Sequence, residues 1–248
     1  MKTINNEFYH ELGDKWFEAS NHPVALLRAE NRLRNPWIMS HLKAKQKIVD
    51  LGCGAGFLTN ALAKEGHFVT GVDLSKGSLE IAQKYDSTKS VTYLEADATS
   101  STLPSHSFDV VCAMDLLEHV TEPQKVVQEA ARLLKNGGLF FFHTFNRTFL
   151  SWLLVIKGVD WFVKNAPPNM HVYHLFIKPE ELSDWCKACS LSVQEMKGVG
   201  LSWNRFATWK MAFTREIPEN LEFRFNSSLK MGYSGFAQLH SDLSENVI

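Results

Sequence analysis

Val49-Asp50-Leu51-Gly52-Cys53-Gly54-Ala55-Gly56 ends one short apolar run, and Asp73 ends the next. Lys47–Leu51 reads as a buried strand entering a glycine turn, and Phe57–Lys64 as the helix that follows it. Glycines at alternate positions let the backbone bend tightly and approach a ligand closely. A dinucleotide fingerprint needs G-x-G-x-x-G, with its pyrophosphate on a helix N-terminus. Here the spacing is G-x-G-x-G, and Phe57 follows. Asp50 also stands just before the turn, where it would repel a pyrophosphate. An acid at that point suits a cationic or zwitterionic ligand. A tight strand–helix turn with no ligand would account for the glycines alone, but not for the acids around them.

Outward from this turn the chain alternates. Strand-like runs are expected at Lys47–Leu51, Phe68–Asp73, Val91–Glu95, Phe108–Met114 and Leu139–Phe145. Helix-like runs fall between them at Phe57–Glu65, Lys76–Tyr85 and Pro123–Leu134, with Lys135-Asn136-Gly137-Gly138 as a helix stop and turn. Short apolar strands separated by helices point to a parallel sheet covered on both faces. Before the turn, Pro23–Leu42 reads as a helix interrupted near Asn35-Pro36. After Asn146 come the Trp- and Leu-rich run Phe149–Val163, Pro167-Pro168, a helix over Lys178–Ala188 with Pro179 in its first turn, a strand at Leu191–Gly198 and a short one at Ala237–Ser241. Four segments follow: an N-terminal helical segment, 1–43; a ligand-binding core, 44–146; an insertion, 147–189; and a C-terminal completion of the sheet, 190–248.

Composition excludes several classes. The 248 residues are 45% hydrophobic and carry a formal charge of −1, so no basic surplus argues for nucleic acid. Of the four cysteines, Cys186 and Cys189 form a single C-x-x-C, which on a helix shares one face and reads as packing rather than a zinc site. Nothing suggests a disulfide framework, and a reducing compartment fits. Met1–Trp16 lacks the apolar core of a signal peptide, and no run reaches the roughly 18 apolar residues of a membrane span.

Two places carry chemistry beyond the turn. Asp97 ends the third strand pattern, at the sheet edge where open α/β folds bind ligands; it reads equally as a helix cap. The fourth strand runs into Met114-Asp115-Leu116-Leu117-Glu118-His119-Val120. If Asp115 opens a helical turn, Asp115, Glu118 and His119 share a face at i, i+3 and i+4. Two roles suit such a trio: His119 as general base, or the two carboxylates and the imidazole as ligands of a divalent ion such as magnesium. The alternative is a solvated helix start capped by acids.

The glycine turn followed by Asp73 resembles motif I of class I S-adenosylmethionine-dependent methyltransferases. The later pieces narrow this. Leu33-Arg34-Asn35-Pro36-Trp37-Ile38, Met114–Val120, Thr144-Phe145-Asn146-Arg147, Ser151-Trp152-Leu153 and Phe176-Ile177-Lys178-Pro179-Glu180-Glu181-Leu182, in this order, resemble the ubiquinone-biosynthesis O-methyltransferases. The resemblance implies a Rossmann-like fold: a mostly parallel seven-stranded sheet with helices on both faces, plus a helical insertion. It implies S-adenosylmethionine as cofactor and a phenolic or catechol hydroxyl of a polyprenylated precursor as acceptor. By the same resemblance, Asp73 holds the ribose, Asp97 meets the adenine amino group, and Arg34 pairs with the donor carboxylate through its planar fork. The full cofactor-binding set expected is Arg34, Asp50, Gly52, Gly54, Gly56, Asp73, Leu74, Asp97, Ala98 and Met114. Glu118 and His119 are expected as catalytic residues, Asp115, Glu118 and His119 as metal ligands, and Asn146 and His171 at the acceptor. The family's E-x-x-E-H is Asp115-Leu116-Leu117-Glu118-His119 here, one methylene shorter at its first acid.

With Trp152, Trp161, Lys157 and Lys164, the run Phe149–Val163 also suits a membrane interface, where a greasy acceptor would enter. A buried lid helix explains it as well. A cytoplasmic location with peripheral contact at the inner face of a membrane is expected. Other readings are methylation of another small acceptor, including C-methylation, and a non-catalytic module that keeps the cofactor fold. The complete set Asp50, Gly52, Gly54, Gly56 and Asp73 argues against the last. The oligomeric state is not legible.

Overall fold

The computed structural model describes residues 4–202 and 205–240. One eight-stranded sheet organises them, in the order β3-β2-β1-β4-β5-β8-β6-β7. Strands β1 (Lys47–Leu51), β2 (Phe68–Asp73), β3 (Thr92–Glu95), β4 (Phe108–Met114) and β5 (Leu134–Phe145) are parallel. Strands β6 (Leu191–Leu201), β7 (Phe223–Asn226) and β8 (Gly232–Leu239) extend it through antiparallel pairings. The sheet thus carries β7 in addition to seven expected strands. The last strand starts earlier than expected, and Ser241 lies outside the described residues.

The central strands are apolar along both faces because both faces are covered. In β4, Val110, Val111, Cys112 and Ala113 are all fully buried. One face packs against α5 (Pro123–Leu133) and α8 (Pro179–Ala188), with Leu117, Phe140 and Phe142 in the same cluster. The other packs against α2 (Val24–Met39) and α3 (Thr59–Lys64) through Trp37, Ile38, Leu62 and Phe141. Each such side chain is worth about 1.5–3 kcal/mol of burial. Cys186 belongs to the first cluster and is fully buried, as its helical spacing with Cys189 implies.

One expected break is absent, and another, where α5 does stop, takes a different form. α2 runs straight through Pro36. The ring forfeits one backbone bond, but Trp37 and Ile38 just beyond it are anchored in the core, and their burial offsets the loss. Residues 135–138 are a bulge rather than a turn: the register jumps from Phe108↔Leu134 to Val110↔Leu139, with Gly137 at φ 76°.

The strand order reverses between β1 and β4, which opens a crevice at their carboxyl ends. Three segments surround it. The N-terminal strap, a 3-10 turn at Glu7–Glu11 and α1 (Lys15–Glu18), lies over α4 (Lys76–Tyr85). The segment between β5 and α8 forms one continuous helical run, α6 (Phe149–Ser151), a π-helical stretch (Trp152–Lys157) and α7 (Gly158–Phe162). It packs on α9 (Arg205–Thr214), a helix with no expectation from sequence, where Val159 and Met211 join a cluster around Val163 and Ile217. Among the described residues no helix is long and apolar enough to cross a membrane.

Candidate active site

The glycine turn has the geometry its sequence demands. Gly52, Gly54 and Gly56 adopt φ of 70°, 51° and 80°, a region that side chains disfavour. Gly52 N–H and Cys53 N–H both donate to Val72 O, at 2.8 and 3.0 Å, pinning the turn to β2. Asp73 then grips it: Oδ2 accepts from Gly54 N–H and Oδ1 from Ser75 N–H, each at 2.8 Å. The cleft that results is lined by Asp50, Gly52, Gly54, Asp73, Leu74, Asp97, Ala98 and Met114 from the expected set. Asp97 both lines the cleft and caps a turn, accepting from Thr99 N–H at 2.8 Å and Thr99 Oγ1 at 2.7 Å. Its two readings are therefore compatible.

Three residues of the expected set stand away from the cleft. Gly56 does not line the cleft; a Cβ there would lie 3.0 Å from Ala82 Cβ and Tyr93 Oη, so the residue serves close helix–strand packing. Arg34 does not line it either. Its side chain is fully buried and forks onto Asp115, with Nη1 donating to Oδ1 at 2.8 Å and Nη2 to Oδ2, and Nη1 lies 3.1 Å from Glu30 Oε2. Asn146 spends its side chain on Leu229 O at 2.8 Å and faces neither cavity.

The expected trio is rearranged. Asp115 sits at φ +57°, a left-handed conformation that Asp tolerates but a helix start does not. The chain therefore turns before the short 3-10 helix Leu117–His119, and Asp115 points to Arg34 instead of standing over Glu118 and His119. His171 takes its place: ligand atoms of Glu118, His119 and His171 all lie within 4.8 Å of one another. Glu118 Oε2 accepts from Thr144 Oγ1 at 2.8 Å, while Oε1 is buried without a partner.

Behind this group opens a second cavity of about 600 Å³, mostly apolar. Glu30, His119, His143 and His171 stand at its polar end, and Leu154, Val159, Phe162 and Met211 line the rest. Leu154, Phe162 and Leu201 line it and are also solvent-exposed, so they mark its mouth. Tyr9, Leu27, Asp115 and His119 line both cavities, which meet there. Sequence reasoning missed Tyr9, Glu30 and His143. Glu30 left a trace, since it stands one helical turn before Arg34; Tyr9 and His143 left none.

The electrostatics are lopsided. Burial, reinforced by Asp73 and Asp115, pushes Asp50 up to about 8. Burial and Asp115 push Glu118 up to about 8, and burial, partly offset by Arg34, raises Glu30 to about 7. Asp73 is also raised by burial. Asp115 goes the other way: burial opposes its charge, but Arg34 beside it holds the carboxyl below its usual range. Burial drives the imidazoles down, His119 to about 4, His143 and His171 to about 3, so all three are neutral at pH 7. The site can thus hold a cation in the cleft, offer a metal two neutral imidazoles and a carboxyl that the metal's charge would ionise, and shelter an apolar ligand beside both.

Comparison with known proteins agrees in kind. A family model described as a methyltransferase domain matches residues 49–142. The ubiquinone biosynthesis O-methyltransferase of Actinobacillus pleuropneumoniae is 36% identical over 201 residues, covering 77% of this chain and 85% of the relative. That of Methylococcus capsulatus is 39% identical over 191 residues, covering 75% and 80%. Among solved structures, a SAM-dependent methyltransferase of Thermotoga maritima superposes with a TM-score of 0.59 at 21% identity, covering 91% of this chain and 93% of that one. At that identity it supports the fold alone.

The raised Glu118 has a testable sign. Its unfolded carboxyl releases its proton near about 4.3, whereas the folded one keeps it to about 8. Between those values the unfolded state binds fewer protons, so this group's stabilising contribution is full at low pH and is lost as pH rises. Glu118→Gln removes the slope. In metal-free protein its melting temperature relative to wild type should climb from pH 5 to about pH 8 and level off above it; a difference that does not change with pH contradicts the assignment.

Proposed function

The chain belongs to the ubiquinone-biosynthesis O-methyltransferase family, and from that premise we propose that it methylates a phenolic or catechol oxygen of a polyprenylated ubiquinone precursor. The observation that carries this reading is the junction of the two cavities: a cleft suited to a cationic donor and an apolar chamber share Tyr9, Leu27, Asp115 and His119. S-adenosylmethionine, the cofactor of this enzyme, fits the cleft's chemistry. Asp73 suits the ribose hydroxyls, Asp97 and Ala98 the adenine end, and Gly52, Gly54 and Met114 the methionine part; the protonated Asp50 stands ready to ionise beside a positive charge. When bound, the cofactor supplies a methyl group already activated by its sulfonium, so transfer forms a C–O bond as a C–S bond breaks.

The chain's own work is alignment, exclusion of water and removal of the acceptor's proton. Alignment and desolvation together are worth about 7–11 kcal/mol. For the proton, magnitudes separate the two roles suggested for His119. Moving a proton from a phenol, near about 10, to an imidazole near 4 is uphill by roughly 8 kcal/mol. A direct base role is therefore weak in the metal-free site. The cation reading is stronger: His119 and His171 carry no proton to displace, and Glu118 Oε1 lacks a partner. A divalent cation there would lower the acceptor's pKa. Two imidazoles and one carboxylate suit zinc, manganese or iron(II) better than magnesium, which prefers oxygen ligands. Arg34 and Asp115 then form the wall between the chambers instead of binding substrate. The acceptor's ring belongs at the polar end near His171, and its tail along the apolar chamber towards Leu154 and Phe162.

The same reading makes 147–189 a lid and a membrane contact. Phe149 is 70% exposed and Trp161 56%, and α9 adds Trp209 at 62% and Phe213 at 79%. Such exposure close to the chamber's mouth supports docking on a bilayer in which a polyprenyl acceptor dissolves. The attachment proposed is a peripheral one, made by these exposed side chains at a membrane's inner face.

Two experiments test this. Purified enzyme with labelled donor and short-tail demethylated quinols should turn over, and His119→Ala should lower kcat by roughly 10²–10⁴-fold while hardly changing donor affinity. Chelation should give the same loss. Full activity in His119→Ala with chelator present refutes the site. For the membrane, replacing Phe149, Trp161 and Phe213 by Ser should abolish flotation with anionic liposomes while sparing turnover of short-tail acceptors. Wild-type protein that stays with the soluble fraction at every lipid composition contradicts the docking.

A further inference from the structure

Asn6 lies on the N-terminal strap, 113 residues from His119, yet its side chain makes two hydrogen bonds to that residue. Asn6 Nδ2 donates to His119 O at 2.9 Å, and Asn6 Oδ1 lies 3.1 Å from His119 Nδ1. The pair of contacts fixes every role. A backbone carbonyl only accepts, so the amide nitrogen must face it and the amide oxygen must face the ring. An oxygen facing Nδ1 accepts, so Nδ1 carries the hydrogen. With Nδ1–H committed to Asn6, the nitrogen left to bind a cation or take a proton is Nε2.

We propose that Asn6 is a positioning residue: it holds His119 as the Nδ1–H tautomer and so presents the Nε2 lone pair to the reaction chamber. This rests on the role given above to His119. Metal-binding histidines commonly donate their other N–H to an oxygen, which fixes tautomer and ring orientation; Asn6 Oδ1 is such an oxygen. His119 borders the acceptor chamber and approaches His171 with ring centroids 5.3 Å apart, while Tyr9 of the strap meets its ring edge-on at 5.8 Å.

The placement of Asn6 adds a consequence. The strap that carries it also roofs the donor cleft, through Asn6, Tyr9, His10 and Trp16. It is seated on α4, where Ser78 Oγ donates to Tyr9 O at 3.2 Å and Gly77 passes so close that a Cβ would lie 2.3 Å from His10 O. A second hold lies at the insertion, where Asn5 N–H donates to Asn169 O at 3.1 Å. The tautomer is therefore set only when the strap is closed over the donor cleft, which ties readiness of the acceptor side to closure of the donor side.

The test is long-range ¹H–¹⁵N NMR of histidine-labelled full-length protein, with the His119 signals identified by their loss in His119→Gln. Wild type should show the Nδ1–H pattern. Asn6→Ala should move His119 to the Nε2–H form or a mixture, and lower kcat roughly 10–100-fold. Asn6→Asp keeps an acceptor opposite Nδ1 and should restore the wild-type pattern. Gly77→Ala, which leaves both partners intact but lifts the strap, should shift the tautomer as Asn6→Ala does. An Nε2–H pattern in wild type, or an unchanged Nδ1–H pattern in folded Asn6→Ala, overturns the proposal. If the tautomer moves as expected while turnover is undiminished, the positioning stands and the catalytic role of His119 falls instead.

Discussion

Five carboxylates, Glu30, Asp50, Asp73, Asp115 and Glu118, crowd the carboxyl ends of the central strands, and the fold answers them with the Arg34 guanidinium. Most of the site follows from this imbalance. Arg34 is fully buried and committed to Asp115 and Glu30, and removing one partner of such a pair costs about 3–5 kcal/mol. Asp50 and Glu118 meet their burial by holding protons. A site that stores protons on carboxylates is built for a cationic occupant, whose arrival lets those groups ionise. That is why the same acids which exclude a pyrophosphate admit a sulfonium and an ammonium group.

The sheet supplies the rest. β1 and β2 deliver the glycine turn and Asp73 to the crevice, and β4 delivers Met114 and Asp115. Asp115, in its left-handed turn, stands where the two chambers meet. It sends that carboxylate to Arg34 and leaves Glu118 free to face His119 and His171. Backbone strain held at such a point is a common mark of a working site. Here it separates a charged cleft from an apolar chamber within one residue.

Much of this was legible in the sequence. Lys47–Leu51, Phe68–Asp73 and Phe108–Met114 form strands with the bounds their apolar runs imply, because a strand buried on both faces announces itself by unbroken hydrophobicity. The glycine turn and Asp73 were legible because backbone geometry restricts the residue types there. The place of Asp115 apart from Glu118 and His119 was not legible because spacing arguments assume a helical backbone, and a single positive φ cancels them. Arg34 was read as facing a ligand because its partner lies 81 residues away in the chain. Pro36 was read as a break because local cost was visible and the core contacts that offset it were not. The strap left no periodic signal, so Asn6 and Tyr9 emerged only from tertiary contact.

The most direct test of the central claim is a calorimetric titration of the enzyme with S-adenosylmethionine near pH 7, in buffers of differing ionisation enthalpy. If buried carboxylates hold protons until a cation arrives, the apparent enthalpy should vary with the buffer. The slope should give release of up to roughly one proton per donor bound. S-adenosylhomocysteine, which lacks the sulfonium charge, should release fewer. An enthalpy independent of buffer for S-adenosylmethionine would contradict the account.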